Sequence, residues 1–150
     1  GTVGELFCRG PYAFNGYLGR PQETAETLVD GWVTVGDLAW ADEEGFLHIV
    51  DRKKDMIVTG GVNVYPREVE NVIAGVAGVR EVAVVGLDDA EWGERIHAFV
   101  VGTAVEADIT RAVRAELAGH KVPRGISFLS ELPRNASGKV LKSTLRAIGA

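Results

Sequence analysis

The amino-acid sequence predicts an α+β fold: a β-rich first third, then a small domain with a short β-sheet flanked by helices. Short alternating apolar runs dominate residues 1 to about 51. Five consecutive charged residues at 51–55 then interrupt the pattern, and beyond them strand-like and helix-like segments alternate. A chain of 150 residues buries about 68–70% of its unfolded surface, so one compact domain or two small ones need no disulfide or metal.

Three short strands and one helix are predicted before the charged run. The helix begins at Pro21, where proline suits the first helical position and Glu23 and Glu26 lie near the positive end of the helix dipole. The strands are residues 5–8, 32–35 and 46–50. The charged run itself is the best candidate for a linker.

After the linker, apolar spacing predicts helices that pack on a sheet. A strand at 56–58 and a turn at Gly60 and Gly61 precede a helix whose Val69, Val72, Ile73 and Val76 share one face. Further strands are predicted at 82–85, 96–101 and 126–129, with Trp92-Gly93-Glu94 in a polar loop. A second helix, about 107–118, should end in a left-handed cap at Gly119, and Leu141, Leu145 and Ile148 mark a closing helix.

Composition and charge narrow the class of partner. The net charge of −5 argues against a general nucleic-acid binder, whereas residues 120–150 hold six basic side chains and one acidic one. This asymmetry favours a local site for an anion such as a nucleotide or phosphate. Cys8 is the single cysteine and is expected to be buried, which excludes a disulfide framework and suits a reducing cytosol. No apolar run approaches the roughly 20 residues of a membrane span, so we expect a cytoplasmic protein.

Several residues could take part in catalysis or ligand binding, but each could also have an ordinary structural role. Lys139 follows a Ser-Gly pair on a basic loop, but most loop lysines are simply solvated. Asp37 follows Gly36, although such pairs usually close turns. Residues 59–61 could let a ligand approach the backbone or could merely turn the chain.

Five motifs, taken together in the order in which they occur along the chain, decide between these interpretations. They are GELFCRG at 4–10 with GYL at 16–18, GWVTVGD at 31–37, DRKKDMI at 51–57, GGVNVYP at 60–66 and PRNASGK at 133–139. Together they resemble the acyl-adenylate-forming enzymes, which include acyl-CoA synthetases, aryl-CoA ligases, luciferases and peptide-synthetase adenylation domains. The family's other motifs belong to a large preceding domain. The resemblance therefore implies a C-terminal fragment, with 1–53 the β-rich end of the missing large N-terminal domain, a hinge at about 52–55, and 54–150 the small, mobile C-terminal α+β domain.

The resemblance also implies roles for individual residues. Lys139 would be catalytic and contact the acyl carboxylate and α-phosphate. Asp37 and Arg52 would bind the ribose of ATP, and Lys54 would be the hinge. The positions implied to meet coenzyme A are Gly60, Gly61, Trp92, Lys121 and Arg124. Two departures from the family pattern are Val35, usually threonine, and Val62, often glutamate.

The function implied is ATP-dependent ligation of a fatty or aryl carboxylic acid to coenzyme A through an acyl-AMP intermediate. The substrates would be the acid, ATP with Mg²⁺ held mainly by its phosphates, and CoA; no metal site of the protein's own is expected. Alternatives are an adenylation domain that loads a carrier protein and a non-catalytic interaction domain. We expect the isolated fragment to be inactive.

Overall fold

The structure is a computed structural model that describes residues 1–149, and it divides into two compact units. The first is Gly1–Lys54 and the second begins at Asp55. The fold is mixed α and β with two separate sheets, as the sequence predicts. The roles of the first unit as the remnant of a larger domain and of residues 52–55 as a hinge stay predictions.

The first unit is a four-stranded antiparallel sheet built around one long strand. Its elements are β1 (Gly4–Cys8), α1 (Pro21–Thr27), β2 (Leu28–Val29), β3 (Trp32–Ala41) and β4 (Leu47–Arg52). Strand β3 is central: β1 pairs with one edge, while β2 and β4 pair with the beginning and end of the other. The register of β3 and β4 shifts between Leu38 and Ala39, which adds local twist next to Asp37.

The second unit is a five-stranded sheet with helices on both faces. Its elements are β5 (Ile57–Thr59), β6 (Val62–Val64), α2 (Pro66–Ala74), β7 (Val79–Asp89), β8 (Gly93–Gly102), α3 (Glu106–Glu116), β9 (Gly125–Phe128) and α4 (Lys142–Gly149). The strand order is β6-β5-β8-β7, and β9 pairs in parallel with β8 beside β5. All other pairs are antiparallel.

Two apolar layers hold these helices to the sheet. Successive side chains of a strand point to opposite faces, so Ile96, Ala98 and Val100 of β8 face one layer while Phe99 and Val101 face the other. The first layer contains residues of α2 and α3 and the second contains Leu145 of α4. These helix residues are Val69, Ile73, Ile109, Val113 and Leu145, and none is measurably exposed. The apolar stripe predicted for α2 is confirmed for Val69, Val72 and Ile73, whereas Val76 packs against the same layer from beyond the end of the helix at Ala74.

Several local predictions are wrong. Cys8 is exposed, because it lies at the end of strand β1 at the surface of its sheet. Gly119 is not a left-handed cap: α3 stops at Glu116, Leu117 is extended, and Gly119 opens a short 3-10 turn, Gly119–Lys121. The closing helix, in contrast, is present as α4, which begins directly after Leu141 and contains Leu145 and Ile148.

The charged run is only partly a linker. Its first two residues complete β4 through pairing with β3, and the remaining three form a 3-10 turn, Lys53–Asp55. Gly93 and Glu94 likewise belong to β8 rather than to a loop, because the β7–β8 pairing continues as far as Asp89 and Gly93.

No helix among residues 1–149 is long and apolar enough to cross a membrane.

Candidate functional site

Asp37 and Arg52 form an ion pair across two neighbouring strands of the first unit. They are direct partners in the β3–β4 register, and Arg52 Nε lies 2.8 Å from Asp37 Oδ1. Arg52 Nη1 also donates to the carbonyl of Val35 at 3.0 Å. The Asp37 side chain is 22% exposed, so its carboxylate stays accessible while the arginine fixes its orientation. Two residues that lie 15 positions apart are thus brought into one polar site.

A second polar group fixes the turn before Asp37. Glu5 accepts hydrogen bonds from Lys53 Nζ at 2.6 Å and from Thr34 Oγ1 at 2.9 Å, and Thr34 Oγ1 accepts from the amide of Gly36 at 3.0 Å. The hydrogen bond from Lys53 is the main reason why the pKa of Glu5 is below its usual value, and the one from Thr34 adds to it. Sequence reasoning did not single out Glu5, although it lies inside the first motif.

Lys54 lies in the 3-10 turn at the boundary between the two units. The residue is exposed, and within residues 1–149 its ammonium has no hydrogen bond or ion pair. The role of Lys54 as a hinge stays a prediction.

The turn at Gly60 and Gly61 joins β5 to β6 as a two-residue hairpin loop. Both residues have positive φ, 56° and 79°, the combination that favours glycine in such loops. The two differ in their surroundings. A Cβ at Gly60 would lie 2.7 Å from Cε3 of Trp92, whereas a Cβ at Gly61 would meet nothing within 4 Å. Close packing therefore requires a glycine at 60, and backbone conformation alone favours one at 61.

Trp92 is held in place by its own loop and by Arg124. The carboxylate of Asp89 accepts hydrogen bonds from the amides of Glu91 and Trp92, each at 3.0 Å, and the bond from Trp92 is the main reason why the pKa of Asp89 is lowered. The guanidinium carbon of Arg124 lies 4.4 Å from the Trp92 ring centroid, a cation–π contact. The Trp92 carbonyl in turn accepts the amide of Gly60 at 2.9 Å.

Gly60, Trp92 and Arg124 line a cleft of about 750 Å³ in the second unit. Gly60, Trp92 and Arg124 lie on one side, and the cleft is completed by Arg114 of α3 and His120 of the following turn. The lining includes two arginines, and Glu106 is its acidic member. Sequence reasoning missed Arg114 and His120. Nothing in a helix pattern distinguishes an arginine that faces a cleft from one that faces solvent.

Lys121 is not brought into this cleft. Its Nζ lies 2.6 and 2.7 Å from the two carboxylate oxygens of Glu68 on α2, and its side chain is 22% exposed. Most of its charge is therefore balanced within the fold, which leaves less of it for a bound anion.

Lys139 lies on a loop, residues 133–141, that we call the Lys139 loop. Two backbone bonds close its ends: Leu141 donates to Pro133 at 2.8 Å, and Asn135 donates to Lys139 at 2.9 Å. The Asn135 side chain accepts the amides of Ser137 at 3.0 Å and Lys139 at 2.9 Å. The Lys139 residue is exposed, and its ammonium has no hydrogen bond or ion pair within residues 1–149. The loop thus combines a hydrogen-bonded backbone with an ammonium group, that of Lys139, which has no partner among the described residues.

The described residues contain no cluster of three or more His, Cys, Asp or Glu side chains able to hold a metal ion.

Comparison with known proteins finds a family match within the second unit. Residues 68–139 match the family described as the AMP-binding enzyme C-terminal domain. Feruloyl-CoA synthase from an Amycolatopsis species is 47% identical over 150 residues, covering 97% of this chain and 30% of the relative. A 2-succinylbenzoate–CoA ligase from Bacillus cereus is 44% identical over 149 residues, covering 98% of this chain and 31% of the relative. The chain thus spans about 30% of the length of these curated relatives.

Solved structures agree with this assignment. ATP-bound MatB from Rhodopseudomonas palustris is 40% identical with a TM-score of 0.91, covering 99% of this chain and 30% of that one. The o-succinylbenzoate CoA synthetase MenE from Bacillus subtilis, in complex with the acyl-adenylate OSB-AMP, is 38% identical with a TM-score of 0.90, covering 97% and 30%. The amide bond synthetase McbA from Marinactinospora thermotolerans is 36% identical with a TM-score of 0.91, covering 100% and 32%. Along almost its whole length the chain is therefore similar to a part of these synthetases and ligases, and its residues 68–139 match the AMP-binding enzyme C-terminal domain.

Proposed function

We propose that this chain is part of an ATP-dependent acyl-CoA ligase that activates a fatty or aryl carboxylic acid as its acyl-AMP and transfers the acyl group to CoA. The observation that carries the proposal is the exposed ammonium of Lys139 on a loop whose backbone is hydrogen-bonded at both ends. Relatives named as CoA ligases, 44 to 47% identical along almost the whole chain, support it. A cytoplasmic location is part of the proposal.

In the first half-reaction, a carboxylate oxygen of the acid attacks the α-phosphorus of ATP, and pyrophosphate leaves. Attack by one anion on another is opposed electrostatically, so a cation held beside both lowers the barrier. An ammonium at 4 Å contributes on the order of 4 kcal/mol at an effective dielectric constant of 20. Lys139 is the residue proposed to supply this charge, because its ammonium is not neutralised within the described chain.

Binding of the nucleotide is proposed for the Asp37–Arg52 pair. The carboxylate of Asp37 can accept hydrogen bonds from ribose hydroxyls, and bonds of this charge-assisted kind are stronger than neutral ones. Arg52 would hold the Asp37 carboxylate in that orientation through its 2.8 Å contact. The Mg²⁺ that accompanies ATP would be bound mainly by the phosphates.

In the second half-reaction, the thiol of CoA attacks the carbonyl carbon of acyl-AMP, the thioester forms and AMP leaves with the bonding electron pair. The cleft around Trp92 and Arg124 is proposed to receive the nucleotide end of CoA. Arg124 and Arg114 suit phosphate groups, and an indole suits stacking on a purine. Gly60 and Gly61 would leave the path of the thiol free of side chains.

The proposal is tested first on the complete protein. Pyrophosphate release is measured with a panel of fatty and aryl acids, in the presence and absence of CoA. Acid-dependent release and a CoA thioester as product are expected. Release with no thioester, but with acyl transfer to a carrier protein or to an amine, would reassign the acceptor; the similarity to an amide bond synthetase makes the amine worth including. No release with any acid would refute the proposal.

Lys139 is then tested by substitution in the active enzyme. Lys139→Ala should lower the rate of acyl-AMP formation by roughly 10²–10³-fold, the usual effect of removing a fixed charge stabiliser. Thioester formation from supplied acyl-AMP should stay near wild type. The matched control is Arg111→Ala, which removes an exposed cation from α3 and should change neither rate. Equal loss in both half-reactions would contradict the role assigned to Lys139.

A further inference from the structure

The Lys139 loop is tied to the central sheet by one arginine. Arg134 Nη1 donates to the carbonyl of Gly138 at 2.7 Å, and Arg134 Nη2 forms an ion pair with Glu81. Glu81 lies near the start of β7, the strand at one edge of the sheet, where it pairs with Val101 of β8. The loop is thereby connected, through two charged side chains, to the most extensively paired strands of the second unit.

The bond from Arg134 acts on the peptide group that precedes Lys139. That peptide consists of the carbonyl of Gly138 and the amide of Lys139. Its oxygen is held by Arg134 at 2.7 Å, and its N–H is held by Asn135 Oδ1 at 2.9 Å. With both polar atoms bound, the plane of the peptide is fixed, and with it the direction in which the Lys139 side chain leaves the backbone. Gly138 has φ of +80°, so glycine's freedom alone would let this peptide rotate.

We infer that Glu81 is a positioning residue for Lys139, acting through Arg134. The inference rests on the proposed role of Lys139 in acyl-AMP formation. A guanidinium presents several N–H groups in a rigid fork, so a carboxylate on one side determines where the others point. Without Glu81, Arg134 keeps its charge but loses the contact that directs Nη1 toward Gly138. Glu81 lies outside the five motifs and 53 positions before Arg134 in the chain.

The alternative is that the Glu81–Arg134 ion pair only stabilises the fold, and this alternative predicts a different result. The two side chains are 30% and 44% exposed, and such pairs contribute little to stability because water and salt screen them. Loss of Glu81 should therefore leave the fold intact and act on the geometry of the loop. Small displacements of a catalytic group lower the rate of chemistry more than the binding of substrate.

The experiment uses Glu81→Ala, Glu81→Gln and Arg134→Ala in the complete enzyme. Glu81→Ala is expected to lower kcat for acyl-AMP formation about 3- to 10-fold, with the KM for ATP within about twofold and thioester formation from supplied acyl-AMP unchanged. Glu81→Gln, which keeps an acceptor for the guanidinium, should recover a part of the loss. In an Arg134→Ala background, Glu81→Ala should have no further effect, because the coupling passes through Arg134. The control is Asp108→Ala, which removes the carboxylate of another exposed arginine ion pair, on α3, and should stay within about 1.5-fold.

A second readout needs no catalysis. In the 150-residue chain, hydrogen exchange at the Lys139 amide should accelerate about threefold or more in Glu81→Ala and not in Asp108→Ala. Unchanged exchange, an unchanged adenylation rate, or equal loss in both half-reactions would each overturn the inference. A wild-type enzyme that releases no pyrophosphate would instead overturn the proposed function, so the two failures are distinguishable.

Discussion

The hairpin loop at Gly60 and Gly61 offers a test in which two adjacent glycines serve as each other's control. Both have positive φ, so alanine at either position pays the same kind of backbone strain, about 1–2 kcal/mol, partly offset by the lower entropy of the unfolded chain. Only Gly60 packs against a side chain. We therefore expect Gly60→Ala to destabilise the second unit clearly more than Gly61→Ala.

The distances set the size of the difference. A Cβ at Gly60 would lie 2.7 Å from Cε3 and 3.0 Å from Cζ3 of Trp92, well inside the 3.5–4.0 Å of a normal carbon contact. Overpacking of this kind costs typically 1–3 kcal/mol. The loss of unfolding free energy should thus be about 1 kcal/mol for Gly61→Ala and about 2–4 kcal/mol for Gly60→Ala. Relief requires Trp92 to move, which would weaken its contact with Arg124.

The assay is urea unfolding followed by fluorescence. Of the three tryptophans, two lie in the first unit, so a Trp32→Phe/Trp40→Phe background leaves Trp92 as the only reporter. With an m-value of about 1–3 kcal/mol/M, the expected difference of about 1–3 kcal/mol shifts the midpoint by roughly 0.3–3 M. Circular dichroism in the unaltered background checks that the tryptophan replacements are neutral. Equal destabilisation by both alanines, or a larger effect at Gly61, would refute the packing argument.

Two further predictions concern the hinge and a buried histidine. Lys54→Pro should stiffen the boundary between the units, so the complete enzyme should still form acyl-AMP but form thioester more slowly; normal overall turnover would contradict this. Burial, and secondarily Arg95, lower the pKa of His97, so the unfolded chain binds a proton first. The unfolding free energy should therefore be highest above about pH 6.5, the usual pKa of histidine, and should decrease as the pH falls below that value. Denaturant titrations from pH 7 to 5 should show a shallower fall in His97→Gln, and an unchanged slope would exclude His97 as the source.

Much of the fold follows from local sequence signals. Pro21 and Pro66 each occupy the first position of a helix, and the glycine pair at 60 and 61 closes a hairpin. Proline and glycine restrict or widen φ at one residue, so their effect does not depend on distant contacts. The ordered motifs also led to the enzymes whose AMP-binding C-terminal domain matches residues 68–139.

Other features depended on neighbours that are remote in the chain. The end of α3 at Glu116 and the extended Leu117 were missed, because Leu117 packs against the apolar layer instead of continuing the helix. Cys8 was expected to be buried on composition alone, yet its place at the end of an outer strand leaves it exposed. A residue type carries only an average tendency to be buried.

The roles proposed for basic residues show most clearly what depends on the sequence and what depends on the tertiary structure. The sequence by itself determined that residues 120–150 are rich in lysine and arginine, that Lys139 follows a glycine, and that an acyl-adenylate-forming family is the right comparison. Only tertiary structure decided which cations are available: Lys121 is paired with Glu68, Arg134 is paired with Glu81, and Lys139 has no such partner within residues 1–149. Each pair joins residues 53 positions apart, and charge neutralisation depends on separation in space, which the order of residues along a chain does not specify.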